Sequence, residues 1–297
     1  MIPLVYSDGY DLNLGDHVFP AVKFRLIRNE LAREGYTEVH EPEAATIDDA
    51  ALAHTRSWVE ALRYGTLSYA QILQLEIPYS SKMVDAFFRA AGGTTLAARL
   101  ALGRGVAMNI GGGVHHAFAT QGEGFCALND VAMAIGKLQA EGRIRKALVF
   151  DLDVHQGNGT AGIFAEDASV FTISMHQRDN YPAQKPPSNI DVHLDDGTGD
   201  AAYLRLVGSV LEGSLPRFAP DLVMYVAGSD PYFDDKLGGL ALTMDGLYRR
   251  DQLVFDLCRR YGVPVAVTTA GGYAVLLQDT VKIHANTARA AWAAKNG

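Results

Sequence analysis

Cysteine is scarce in this sequence. Two occur in 297 residues, Cys126 and Cys258, which excludes a disulfide framework and leaves two buried thiols in a reducing compartment as the expectation. A basic surface is also missing. Lys and Arg number 26 against 34 Asp and Glu, and the formal net charge of −8 argues against general nucleic-acid binding while leaving room for a cationic substrate. No apolar run is long enough to span a membrane. The opening residues, Met1 to Asp8, lack the basic start and apolar core of a secretory signal, so a cytoplasmic protein is expected. With neither an internal repeat nor a low-complexity linker, residues 1–297 are expected to form a single domain.

What the sequence does contain is an ordinary globular share of apolar residues, 48%, arranged in alternating patterns. Four runs rich in Val, Ile and Phe predict buried strands over Lys146–Phe150, Ser169–Ser174, Leu222–Ala227 and Pro264–Thr269. Amphipathic stretches predict helices over Asp130–Glu141, Ala202–Phe218 and Asp245–Tyr261. Strands alternating with helices imply an α/β fold with a mostly parallel sheet covered on both faces.

In such sheets the ligand site lies beyond the carboxyl ends of the strands. There the first run continues into Asp151-Leu152-Asp153-Val154-His155, the second into Met175-His176, the third into Gly228-Ser229-Asp230 and the fourth into Ala270-Gly271-Gly272-Tyr273. Asp151, Asp153 and His155 share one face if the extended conformation persists, since side chains alternate along a strand. Two carboxylates and an imidazole suit a divalent metal such as zinc, iron, manganese or cobalt. A catalytic zinc takes three protein ligands and one open position. Asp153 and His155 supply two, and Asp230 is the best third. Asp234 and Asp235, further along that loop, read as solvated charges.

Gly111-Gly112-Gly113-Val114-His115-His116 places adjacent imidazoles after glycines that let backbone approach a ligand. Alone, such a pair is commonly structural. Beside a metal motif it suits a proton shuttle, because hydrolysis needs a base for water and an acid for the leaving group. Tyr273, otherwise a plain turn residue after glycines, can there donate to an oxyanion. The histidines at 17, 40, 54, 176, 193 and 284 read as structural.

These residues together resemble the histone deacetylase family. The matching segments are GGGVHHAFATQGEGFCALND (111–130), FDLDVHQGNGT (150–160), TISMH (172–176), AGSDPYFDDKLGGL (227–240) and TAGGYA (269–274), in family order. Gly92-Gly93-Thr94-Thr95 and Gln156-Gly157-Asn158-Gly159 look most like the class IV branch and its bacterial relatives. The resemblance implies an arginase-like three-layer α/β/α fold, with zinc (or iron) on Asp153, His155 and Asp230. It implies His115 and His116 as the catalytic pair, Asp151 as the partner of His115, and Tyr273 at the oxyanion. It further implies a structural potassium-type monovalent cation near Asp151 and Ser174, and Gly124, Phe125 and Tyr181 as walls of an acyl-lysine tunnel.

Two departures stand out. Asn158 occupies the place of an aspartate that partners the second histidine in the best-known members, which should leave a His116 cation less stabilised. The acidic rim residue that grips a peptide backbone has no counterpart nearer than Asp85, which puts peptide substrates, and histones more so, in question. The implied activity is metal-assisted hydrolysis of an N-acyl bond in an acyl-lysine, a peptide or a small acylated amine, and the class IV likeness adds acyl chains longer than acetyl. Three other readings fit less well. A magnesium-dependent phosphatase built on Asp151 gives no role to His115, His116 or Tyr273. A ureohydrolase needs two bridged metals and more carboxylates. A non-catalytic acyl-lysine binding module would be favoured by loss of a metal ligand or of Tyr273, yet the set is complete.

Overall fold

The computed structural model describes residues 1–296. In chain order its strands are β1 (Leu4–Val5), β2 (Val39–His40), β3 (Val106–Asn109), β4 (Ala147–Asp151), β5 (Val170–Gln177), β6 (Ile190–Leu194), β7 (Leu222–Val226) and β8 (Val265–Thr268). The helices are α1 (Lys23–Arg33), α2 (Ile47–Ala50), α3 (Arg56–Tyr64), α4 (Tyr69–Leu75), α5 (Ser81–Arg104), α6 (Asp130–Ala140), α7 (Asn158–Ile163), α8 (Asp200–Phe218), α9 (Met244–Arg260) and α10 (Leu277–Asn296). The strands form one parallel sheet of eight, ordered β2-β1-β3-β8-β7-β4-β5-β6.

The central strands are apolar on both faces because both are covered. Along β4, Leu148 and Phe150 pack into a core shared with α1, α8, α9 and α10, whereas Ala147 and Val149 pack into a core shared with α5 and α6. The result is three layers, α/β/α, as the sequence implies. A third apolar cluster, around Trp58, Leu62, Leu75 and Phe87, seats α2 to α4 beside α5.

Register aligns the strand ends. Asn109 of β3 pairs with Thr268 of β8, Thr268 with Val226 of β7, Val226 with Asp151 of β4, and Asp151 with Ser174 of β5. The loops leaving this row all start at one edge of the sheet, where the catalytic candidates lie.

Candidate active site

β4 ends at Asp151, so the extended conformation does not carry through to His155 as the strand-alternation reading supposed. A hydrogen-bonded turn gathers the three residues instead. Asp151 Oδ1 accepts the Asp153 amide at 3.1 Å, and Asp153 Oδ1 accepts the His155 amide at 3.0 Å. Asp230, leaving β7, reaches the same point, its Oδ1 accepting the Val154 amide at 2.9 Å. From the loop after β8, the Gly271 amide donates to Asp153 Oδ2 at 2.9 Å. A Cβ on Gly271 would collide with carboxylate oxygens of both Asp230 and Asp153, which is why glycine stands there.

His155 Nδ1 lies 3.1 Å from Asp153 Oδ1 and 3.6 Å from Asp230 Oδ2. All three side chains are buried, and Asp230 Oδ2 has no hydrogen-bond partner. Burial and the neighbouring Asp153 push the Asp230 carboxyl up to about 7. Burial opposes charge on His155, yet Asp153 and Asp230 raise its imidazole to about 10. An orphaned carboxylate oxygen in so negative a pocket fits a divalent cation, and the donor set of two oxygens and one nitrogen fits zinc or iron.

The histidine pair is set by its approach loop. Gly112 and Gly113 take φ of 70° and 77°, and a side chain on Gly113 would strike Ala270. Buried Asp130 fixes this turn by accepting the amides of Gly113 at 3.0 Å and Val114 at 2.8 Å. His115 Nδ1 then lies 2.7 Å from Asp151 Oδ2, and His116 Nδ1 lies 2.6 Å from Asn158 Oδ1. Burial works against charge on His115, but Asp151 and Asp153 lift it to about 9. Burial together with His115 and His155 holds His116 well below its ordinary value. The two imidazoles are therefore set apart: the neighbouring carboxylates favour protonation of His115, while burial and the adjacent histidines oppose it at His116.

Tyr273 is buried, and burial with Asp153 and Asp230 pushes its phenol well above the ordinary range, so it stays protonated. Its ring lies edge-on to Phe19 and Phe125, each 6.2 Å away. A cavity of about 190 Å³ is lined by His116, His155, Tyr273, Gly124, Phe125 and Tyr181. A second cavity of about 50 Å³ shares the first five of these and extends toward Tyr10, Phe24 and Phe87.

A histone deacetylase domain model matches residues 17–288. The chain is 33% identical to histone deacetylase 2 of Arabidopsis thaliana, over 92% of this chain and 74% of that one. The chain belongs to the histone deacetylase family. It is also 42% identical to an uncharacterised protein of Picosynechococcus, over 97% and 98% of the two chains, and 31% identical to a probable deacetylase of Archaeoglobus fulgidus, over 83% and 74%. Among solved structures, the HDA15 HD domain superposes with a TM-score of 0.82 at 26% identity, covering 98% of this chain and 88% of the other. The fold is the arginase/deacetylase fold, and the chain is a deacetylase-type hydrolase.

This deacetylase brings His115, His116, Asp151, Asp153, His155, Asn158, Asp230 and Tyr273 to one place, with Gly124, Phe125 and Tyr181 around the cavity. Asp85 lies elsewhere: it is exposed on α5, paired with Arg63 at 2.5 Å, and lines neither cavity. Asp235 corrects the reading of it as a solvated charge. Its carboxylate accepts the amides of Tyr273 at 2.6 Å and Leu237 at 2.9 Å, and so anchors the phenol's backbone. His176 lies off the cavity, bonded to Ser174 Oγ and His193 Nδ1 at 2.9 Å each.

Two residues escaped the sequence reading. Lys23 is fully buried, its Nζ donating to Ala270 O at 2.7 Å and lying 5.7 Å from the Tyr273 ring centre. Its signal was a lysine standing on the Phe24, Ile27, Leu31 face of α1. The other is Glu123, whose carboxylate meets Asn158 and Tyr181; an acidic residue directly before Gly124 in the loop after the histidines was the available signal.

Proposed function

We propose that the protein removes an acyl group, acetyl or longer, from an N-acylated amine of the acyl-lysine type. The observation that carries this reading is the cavity between Phe125 and Tyr181, which leads to the Asp153, His155, Asp230 cluster with Tyr273 and His116 on its wall. Such a cavity suits a slender aliphatic chain ending in an amide. Asp153, His155 and Asp230 would hold zinc, with iron as the alternative. Bound there, the ion supplies Lewis-acid polarisation of the carbonyl and makes water a stronger acid.

The chain's own residues do the rest. Neutral His116 takes a proton from the attacking water as its oxygen bonds to the carbonyl carbon. Tyr273 donates a hydrogen bond to the oxygen on which negative charge develops. The C–N bond then breaks as the histidine pair returns a proton to the departing nitrogen, giving a carboxylic acid and an amine; the acid's own proton then passes to the amine, leaving carboxylate and ammonium. His115, charged beside Asp151, stabilises the anionic intermediate, and Asp151 keeps that ring oriented. Asp151 and Ser174, side by side in the sheet register, would also hold a structural potassium ion. The whole chain, 1–297, is read as one catalytic domain, and its two buried free thiols suit the cytoplasm.

A specific observation favours a small cationic substrate over a protein. Glu76 lines the cavity mouth, with Glu123 close enough to add to the effect of burial in raising its carboxyl, while the rim offers no Asp85 for a peptide backbone. The comparison that tests this is kcat/KM for acetyl-lysine peptides, long-chain acyl-lysine peptides and acetylated polyamines. Acylated small amines turned over better than peptides support the small-molecule reading. No hydrolysis of any linear amide would remove the proposal.

A further inference from the structure

We infer that Glu123 is a positioning residue that fixes the tautomer of His116 through the Asn158 side chain. This rests on the reading of His116 as the base, and it explains how an asparagine serves where a carboxylate was expected.

The two ends of a carboxamide are nearly the same size, and only hydrogen bonding decides which faces which neighbour. Asn158 stands between two partners, His116 Nδ1 at 2.6 Å and Glu123 Oε1 at 2.6 Å. Taken with His116 alone, either end of the amide would fit. An imidazole nitrogen can donate or accept, and the ring would simply adopt the matching tautomer. Glu123 removes that freedom. An ionised carboxylate only accepts, so the Nδ2 end must turn to Glu123 and the Oδ1 end to His116. Neutral His116 must then carry its proton on Nδ1, which leaves the lone pair on Nε2 to receive one from water.

The surroundings of Glu123 are built for this. Oε1 also takes the Tyr181 hydroxyl at 3.3 Å, and Oε2 takes the side-chain amides of Gln121 at 3.2 Å and Gln74 at 3.3 Å. Four neighbours donate, and no acceptor competes among the bonds to this carboxylate. The two catalytic histidines are thus oriented by carboxylates in two ways. Asp151 holds His115 directly, and Glu123 holds His116 one amide away.

The test uses the zinc-loaded enzyme with ¹⁵N-labelled histidine at about pH 8, where an ordinary imidazole is neutral. It compares wild type, Glu123→Ala, Glu123→Gln, Asn158→Asp and the Asn158→Asp/Glu123→Gln double variant. The ¹⁵N shifts of His116 identify which ring nitrogen bears hydrogen. In wild type Nδ1 should be the protonated one. Glu123→Ala frees the amide, so protonation at Nε2 should appear and kcat should fall about tenfold or more, short of the full ~10²–10⁴ worth of a general base, with KM little changed. Glu123→Gln still offers an oxygen to Asn158 Nδ2 and should restore both the shifts and most of kcat. Asn158→Asp sets two carboxylates against each other and should lose activity, which the double variant recovers. Unchanged His116 shifts in Glu123→Ala overturn the inference, whatever happens to the rate. Shifts that move as expected with kcat intact uphold the role of Glu123 and instead remove His116 as the base. If the alanine variant fails to fold, a glutamine variant showing Nε2 protonation overturns the inference equally.

Discussion

Tyr273 carries the clearest prediction at the scale of a single residue. Its phenol stays protonated, its backbone is anchored by Asp235, and only its hydroxyl is assigned to the developing oxyanion. Tyr273→Phe should therefore keep the fold and the metal while kcat falls by about 10²–10³. Steady-state kinetics beside elemental analysis checks this, and a loss under roughly threefold would return Tyr273 to a turn residue. Gly271 offers the complementary case. A Cβ there would press on the oxygens of Asp230 and Asp153, so Gly271→Ala should leave circular dichroism unchanged while zinc content drops well below about one equivalent per chain. Retained stoichiometric zinc would show that those carboxylates do not hold it. Asn158 meets a carboxylate that the sequence reading did not name. Its Nδ2 donates to Glu123 Oε1 at 2.6 Å, and no one-dimensional spacing marks an acidic side chain thirty-five residues away as an amide's partner.

At the scale of elements, β4, β5, β7 and β8 were legible, found within a few residues of their ends, whereas β3, as short and as buried as β8, was not. β1 and β2 are two residues each and too short to show a period. β6 is an edge strand, half-exposed, whose apolar–polar alternation from Ile190 to Leu194 was passed over in favour of continuous apolar runs. The 24-residue α5 was hidden by Gly92-Gly93, which look like breakers but serve close approach. A side chain on Gly92 would strike the Glu43 carbonyl, and one on Gly93 the Tyr10 hydroxyl. His54 makes a prediction at this scale, because it ties the segment after α2 to the catalytic loop. Its Nδ1 donates to Phe118 O and its Nε2 accepts the Asn129 amide, both at 2.8 Å. Burial pushes this imidazole down to about 4. The unfolded chain thus binds more protons between the ordinary value near 6.5 and about 4. The stability that neutral His54 contributes is present above pH 6.5 and lost as pH falls toward 4, by about 3 kcal/mol. Urea unfolding of wild type and His54→Gln should show a gap at pH 7 that closes by about pH 4.5. Parallel curves would mean that His54 titrates normally in the folded state.

At the scale of the molecule, three-layer architecture and the site's location were both legible. The candidate residues sit at a strand end, as Asp151 does, or in the segments that follow one, and parallel register gathers those ends at one edge. The buried Lys23 and the Glu76 and Glu123 charges at the cavity were not legible, because each depends on which loop folds over which. No helix among the described residues is long and apolar enough to cross a membrane. The proposed function stands on hydrolysis that depends on a metal held by Asp153, His155 and Asp230. The most direct measurement strips the protein with chelator and titrates zinc back while following amine release from an acyl-lysine substrate. Activity should be lost on stripping and return in proportion to zinc, saturating near about one equivalent per chain. Full turnover by metal-free protein would contradict the claim.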